Sequence, residues 1–322
     1  MSKLLRVLLA TLLLGSLLFA SRAPLIVEKR KDSLLSKKEL LILFSELYKT
    51  VSKNYYMSGT LEYKTLTNKF EALLKENRKF SKSEVYQIFN ELFEGKSGFY
   101  TQATLEKKFH SFLDDTSRIE IMNIDDILYI KIENLNKKDL GLLESVLNRS
   151  SKKIIVDVRN NIDSDVDTMI KFANLLVDDA IIASCRYVNP KKGGKISTWV
   201  KKADSNVTLV GDAKIVFLIN NKTAGIAEVV AHSLRYNRNI RYSIRQRNVT
   251  VIGEESAGES NSFVTGRLSN GDVYILKNGE FYYNLFYVID RIGLQPSIVV
   301  KEDNPAIDKT LLRAVESLRR KK

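Results

Sequence analysis

Residues 214–231 constrain the fold more than any other stretch. Lys214-Ile215-Val216-Phe217-Leu218-Ile219 is apolar after its first residue, Asn220-Asn221-Lys222-Thr223-Ala224-Gly225 has turn composition, and Ile226-Ala227-Glu228-Val229-Val230-Ala231 opens a helix. A short apolar run between turn signals is a strand buried on both faces, the kind found in parallel sheets. The preceding residues alternate in type. Residues 127–133 read as a strand, 138–147 as a helix and 153–158 as a strand; residues 166–177 read as a helix with Met169, Ile170, Phe172 and Ala173 on its apolar side. Residues 181–188 and 196–200 flank Pro190-Lys191-Lys192-Gly193-Gly194, a hairpin signal. Strand and helix in alternation imply right-handed crossovers and a parallel-rich sheet, an α/β fold. Short strands within residues 249–300 are expected to complete that sheet.

The chain ahead of this block is different. Residues 39–118 are read as an amino-terminal helical region, in which Leu40, Leu43, Phe44, Leu47, Tyr48 and Val51 keep three-four spacing. Ser81 and Glu84 form a capping-box signature before Val85, Ile88, Phe89, Leu92 and Phe93. Residues 119–320 form the α/β core. Residues 21–38 are polar and are expected to be a flexible lead-in. Residues 1–20 have Lys3 and Arg6 before an apolar stretch, followed by Ala20 and Ala23, which is the pattern of an export signal cleaved after one of those alanines. The apolar stretch falls short of the ~20 residues of a spanning helix, which favours a cleaved signal over the alternative, an uncleaved amino-terminal anchor. An extracytoplasmic, periplasmic location is therefore expected.

Removing Lys3 and Arg6 lowers the formal charge from +13 to +11. Such an excess favours anionic partners, a membrane surface, an acidic wall polymer or an acidic envelope protein, with a generally solvated basic surface as the simpler reading. Export and the even spread of lysines argue against nucleic acid. Cys185 is the single cysteine, so no internal disulfide is expected, and its apolar neighbours mark it as a buried strand residue. His110 and His232 are the two histidines, too few with their neighbours for a zinc site, and no cofactor is expected.

Three motifs carry a resemblance. Residues 214–231 resemble the nucleophile-bearing segment of the carboxy-terminal processing (tail-specific) serine proteases, in which Thr-Ala-Ser-Ala-Ser-Glu opens a helix. Ile252-Gly253-Glu254-Glu255-Ser256-Ala257-Gly258-Glu259-Ser260 resembles their Gly-x-x-Thr-x-Gly-Lys-Gly element, and Asp157-Val158-Arg159-Asn160-Asn161-Ile162-Asp163-Ser164 resembles Asp-Leu-Arg-x-Asn-Pro-Gly-Gly. The resemblance runs from about Ile127 to Leu318, taking in Gly271-Asp272, residues 293–300 and a closing helix with Asp308, Leu312 and Ala314. It implies a ClpP/crotonase-like core preceded by helices. Between Thr116 and Asp125 there is no room for the PDZ domain that most members insert.

The resemblance also implies that the chemistry is missing. The nucleophile position is Gly225, the base position is Glu259, and the glutamine that positions the base is Phe263. Asp163 and Ser164 replace the paired glycines that help form an oxyanion hole. Four concordant changes within an intact scaffold read as a pseudoenzyme: a peptide-binding or scaffold protein of the cell envelope. Two rivals stand beside it, an active serine endopeptidase with a relocated nucleophile and a carrier of apolar small molecules. For relocation the candidates are Ser256, otherwise read as making a turn hydrogen bond, and His232, otherwise read as a helix-surface residue. Arg235, Arg238, Arg241 and Arg245 recur at helical spacing beyond the family pattern. They form either a solvated face or a docking stripe for carboxylate or phosphate.

Overall fold

The computed structural model describes residues 34–56, 63–76, 78–93, 95–108, 116–147, 152–162, 164–177, 180–210, 213–236, 249–283, 287–288, 292–302 and 306–320. The chain divides into two compact units. One contains residues up to His110 together with Val188–Ile196 and Phe263–Gly279; the other contains Ser111–Tyr187, Ser197–Ser262 and Glu280–Lys322. Sequence periodicity reads only continuous stretches, so it does not locate the two later segments that join the amino-terminal residues.

In the first unit α1 (Lys37–Asn54), α2 (Tyr63–Lys75) and α3 (Lys82–Asn90) supply the helices. α3 starts at Ser81 with the expected capping box to Glu84. α1 starts earlier than its apolar spacing predicts, because Ser36 and Glu39 form a second capping box. Leu35 bridges to Phe80, so the end of the expected flexible lead-in is ordered. Phe44 stacks on Phe70 with ring centroids 3.7 Å apart, and Phe44, Phe70, Phe89 and Phe99 are all buried in one apolar cluster. Strand β1 (Gly98–Tyr100), which the helical reading of this region missed, is followed by α4 (Gln102–Lys108).

The second unit is built on a six-stranded sheet. Its strands are β2 (Arg118–Ile124), β3 (Ile127–Asn134), β4 (Lys153–Asp157), β7 (Lys214–Ile219), β8 (Val249–Gly253) and β12 (Ile298–Val299), in the order β12-β8-β7-β4-β3-β2. Every neighbouring pair is parallel except β2 with β3. β2 is not among the strands read from sequence: Ile119 and Ile121 alternate with Arg118 and Glu120, but Met122 and Ile124 shift the phase and break the period-two pattern.

Strand alternation assigns the two faces of this sheet. Ile130, Ile154, Val156, Ile215, Phe217 and Ile219 enter one core, while Tyr129, Ile155, Val216, Leu218 and Ile252 enter another. The first core is covered by α5 (Leu140–Leu147), α6 (Val166–Leu176) and α7 (Gly225–Tyr236) through Leu143, Phe172 and Val230. The second is covered by α8 (Lys309–Arg319) through Ala314, Val315 and Leu318. Apolar residues on both faces of a strand leave it no solvent side, which is why these runs are continuous and not alternating. Each fully buried Ile or Phe contributes about 1.5–3 kcal/mol.

β5 (Ile181–Asn189), β6 (Lys195–Lys202) and β10 (Val273–Tyr283) each have residues in both units. β1 pairs antiparallel with the start of β10, and its end pairs with β11 (Tyr287–Val288). β9 (Asn261–Arg267) also pairs with β10. Of the short strands expected to complete the parallel sheet, only β8 and β12 do so. β9, β10 and β11 belong to a second sheet, of order β1-β10-β5-β6 with β9 and β11 also on β10, a pairing that local sequence does not encode. Cys185 is buried on β5, as expected, with its thiol pushed up to about 12 by burial.

Candidate functional site

Three loops meet at the carboxyl ends of β4, β7 and β8, and they are the three motif segments. Thr223 ties the first two together: its hydroxyl donates to Val158 O at 3.0 Å, and the Ala224 N–H donates to Asn161 O at 2.9 Å. Asn160 and Asn220 exchange a reciprocal pair, backbone N to Asn220 Oδ1 and Asn220 Nδ2 to Asn160 Oδ1, each 3.0 Å. The third loop is sewn on by its own N–H groups. Glu254 donates to Ile219 O at 3.2 Å, Ser256 to Leu294 O at 3.2 Å and Ala257 to Thr223 O at 2.9 Å.

Glycine is required where the loops approach. Gly253 has φ +135°, and a β-carbon there would lie 2.0 Å from Ile219 O. Gly225 opens α7 at φ +61°, and its N–H donates to Glu259 O at 3.0 Å. A β-carbon at residue 225 would meet only Ile162 O, at 3.7 Å. The structure therefore brings Gly225 and Glu259 together, with the loop that carries residue 162 alongside. The Glu259 side chain is exposed.

The other positions singled out by the resemblance fall differently. Asp163 lies outside the described residues. Ser164 is buried, and its hydroxyl accepts from Leu135 N at 3.0 Å and Asn161 Nδ2 at 2.7 Å, which gives it a loop-fixing role. Phe263 is half-buried on β9 and belongs to the other unit. Of the arginine stripe, Arg235 is in the last turn of α7 and its guanidinium donates to Gln295 O. Arg238, Arg241 and Arg245 lie outside the described residues.

Glu228 is the residue that sequence reasoning passed over. It lies in the first turn of α7, fully buried, among Ile226, Ala227, Val229 and Val230. Its carboxylate accepts from the Ser256 hydroxyl, from Gly258 N at 2.9 Å and from Glu259 N at 3.2 Å. Burial pushes its pKa up to about 7, against the opposing pull of these donors and the Leu294 N–H. An acid on the apolar side of a helix start was the available signal.

Both relocation candidates are buried in the structure. Ser256 is buried, and its hydroxyl donates to Glu228 and accepts from Leu294 N at 2.6 Å. The turn bond expected of Ser256 is thus a bridge between a carboxylate and a second loop. His232 is not on the helix surface: it is 9% exposed, and burial, with Arg235 nearby, holds its pKa down to about 4. The helical spacing that places it near Gly225 turns it toward the protein interior. Among the described residues no group of His, Cys, Asp and Glu is arranged to hold a metal, and no helix is long and apolar enough to cross a membrane.

Comparison with known proteins places this architecture. The chain is 20% identical over 244 residues to a "Probable CtpA-like serine protease" of Staphylococcus saprophyticus, covering 72% of this chain and 47% of that one. It is 24% identical over 189 residues to a "Carboxy-terminal-processing protease" of Bartonella bacilliformis, covering 56% and 40%. The chain thus spans less than half the length of these curated relatives. A lipoprotein from Streptococcus agalactiae shares the fold at TM-score 0.65 and 18% identity, over 90% of this chain and 99% of that one. The photosystem II D1 C-terminal processing protease does so at TM-score 0.61 and 13% identity, over 87% and 97%. The model of peptidase family S41 matches residues 126–300, more than half of the chain and the whole span of the three converging loops; the chain belongs to peptidase family S41.

Proposed function

We propose that this S41 member is an exported, extracytoplasmic pseudopeptidase that binds peptide or an acidic envelope protein without cleaving it. The observation that carries the reading is the pair Gly225 and Glu259. The motif alignment gives these positions to nucleophile and base, and they sit in backbone contact at 3.0 Å at the start of α7. The position is preserved while its chemistry is gone, because glycine has no atom with which to attack a carbonyl. A base must accept a proton from the nucleophile at working pH, and an exposed glutamate is a poor match for a neutral amine in that role. Ser256 and His232, occupied or buried as described above, give the relocated-nucleophile reading no support.

Backbone pairing at an open strand edge would give such a protein its affinity for extended peptides. The test joins two measurements on the full chain. Incubation with casein and with a fluorophosphonate probe is expected to give neither cleavage nor a labelled serine, while extended peptides are expected to bind at or below millimolar concentration. Cleavage that is lost in Ser256→Ala or His232→Ala would replace this reading with an active peptidase. Peptides that fail to bind, with a co-purified apolar ligand in their place, would replace it with a carrier.

A further inference from the structure

A cavity of about 310 Å³ opens in the second unit beyond the carboxyl ends of the parallel strands. Its walls come from Lys131 of β3, Arg159 and Asn160 after β4, Ile219 and Asn220 at the end of β7, Glu254 after β8, and Glu302 and Thr310 near α8. Open α/β sheets bind ligands at this end, where strands finish and loops diverge. The volume is at the small end of the range for ligand pockets, about 300–1,000 Å³.

The charges on the wall decide what could enter. Lys131 is paired with Glu120 and Glu133, both at 3.1 Å. Arg159 is paired with Asp157 at 2.6 Å and Asp308 at 2.7 Å, with Glu302 3.7 Å away. Both cations are thus already held by carboxylates, and an anion entering the cavity would have to compete with them. Glu254 is the opposite case: its carboxylate makes no hydrogen bond or ion pair with any described residue. Its backbone is nevertheless fixed by the bond to Ile219 O, directly after Gly253, whose geometry admits no side chain. Asn160 and Asn220 beside it are locked to each other. Among the described residues, the cavity therefore presents one carboxylate without a partner, on a rigid wall.

We propose that this cavity binds an organic cation, a primary ammonium or guanidinium group such as a basic side chain carries, with Glu254 as its counter-ion. The formal charge of +13 would repel such a ligand from the surface at large. Binding must therefore be local to the carboxylates of this hollow. The proposal goes beyond pseudopeptidase function and stands whether or not the chain cleaves or binds extended peptides.

Calorimetric titration of the full chain with cadaverine, with the capped tripeptide acetyl-Gly-Lys-Gly-amide and with glutarate tests it. Cadaverine or the tripeptide is expected to bind saturably, and whichever is tighter identifies a free amine or a peptide side chain as the source. Glu254→Gln should weaken that binding roughly 10-fold or more, the worth of a charge-assisted hydrogen bond. Glu254→Lys should abolish it. Neither change removes a contact that the fold uses, so melting temperatures should match the unmodified chain. Glutarate binding as tightly as cadaverine, cation binding unchanged in Glu254→Gln, or no cation binding up to 10 mM (roughly 3 kcal/mol) would each overturn the proposal.

Discussion

Two glycines of the converging loops illustrate how differently one residue type can be constrained. Gly253 has no space for a β-carbon, which would fall 2.0 Å from Ile219 O. Gly253→Ala is expected to destabilise the protein by about 3 kcal/mol or more, since backbone must move to relieve the clash. Gly225 is constrained by conformation, at φ +61°, since a β-carbon there would make only an ordinary contact with Ile162 O. Gly225→Ser should cost only about 1–2 kcal/mol, the left-handed penalty. Urea unfolding of the two variants side by side checks the ranking.

The buried pair Glu228 and His232 adds a pH signature at the same scale. Glu228 binds its proton more tightly in the folded chain, about 7 against an ordinary 4.5, so its contribution is fully present below pH 4.5 and is lost as pH rises to about 7. His232 releases its proton on folding, about 4 against 6.5, so its contribution is lost as pH falls from 6.5 towards 4. The two slopes oppose each other between pH 4.5 and 6.5, each worth up to about 3 kcal/mol. Relative to the unmodified chain, Glu228→Gln should gain stability as pH rises through this window and His232→Phe should lose it. Parallel stability–pH curves for all three proteins would refute the assignment.

At the scale of elements, the start of α8 is tied to the end of β4 by one guanidinium in addition to its apolar face. Arg159 joins buried Asp157 at the end of β4 to Asp308, the cap whose carboxylate accepts from Leu311 N. Tyr129 also donates to Asp157, at 2.7 Å. Burial opposes ionisation of Asp308, but Arg159 and the helix N–H outweigh it and hold its pKa below the usual range. Arg159→Ala would leave Asp157 as an uncompensated buried charge, a loss of about 3–5 kcal/mol. Hydrogen exchange should show the amides of α8 opening first. A removed cap is a smaller matter: Ser36→Ala at the start of α1 should cost about 1 kcal/mol.

For the whole molecule the central expectation is the absence of turnover. Gly225→Ser alone should stay inactive, because Glu259 remains where a base is required. The pair Gly225→Ser and Glu259→Lys is expected to recover at most a trace at alkaline pH, since several groups acting as one unit are not restored piecemeal. Fluorophosphonate labelling of residue 225 in the double variant measures this directly. Export is the second expectation at this scale: intact-mass measurement of envelope-fraction protein should show cleavage after Ala20 or Ala23, and a retained Met1 would exclude it.

The amino-acid sequence by itself determined the α/β core, because the apolar runs of β3, β4 and β7 and the spaced apolar residues of α6 and α7 are local patterns with one reading each. It also gives the identities of Gly225 and Glu259 without coordinates, and the motif resemblance alone sets them at the nucleophile and base positions. The Ser81–Glu84 capping box was legible for the same reason, three residues apart in sequence, whereas that of Ser36 and Glu39 was passed over. What only the tertiary structure decided depends on contacts distant along the chain. The burial of His232, the hub role of Glu228 and the hydroxyl of Ser256 arise where loops 28 and 38 residues apart in sequence close on each other. The allocation of β9 and β10 to a second sheet is of the same kind, because strand pairing is chosen by packing between distant segments and leaves no local mark. So is the uncommitted carboxylate of Glu254, whose significance lies in the partners its neighbours already have.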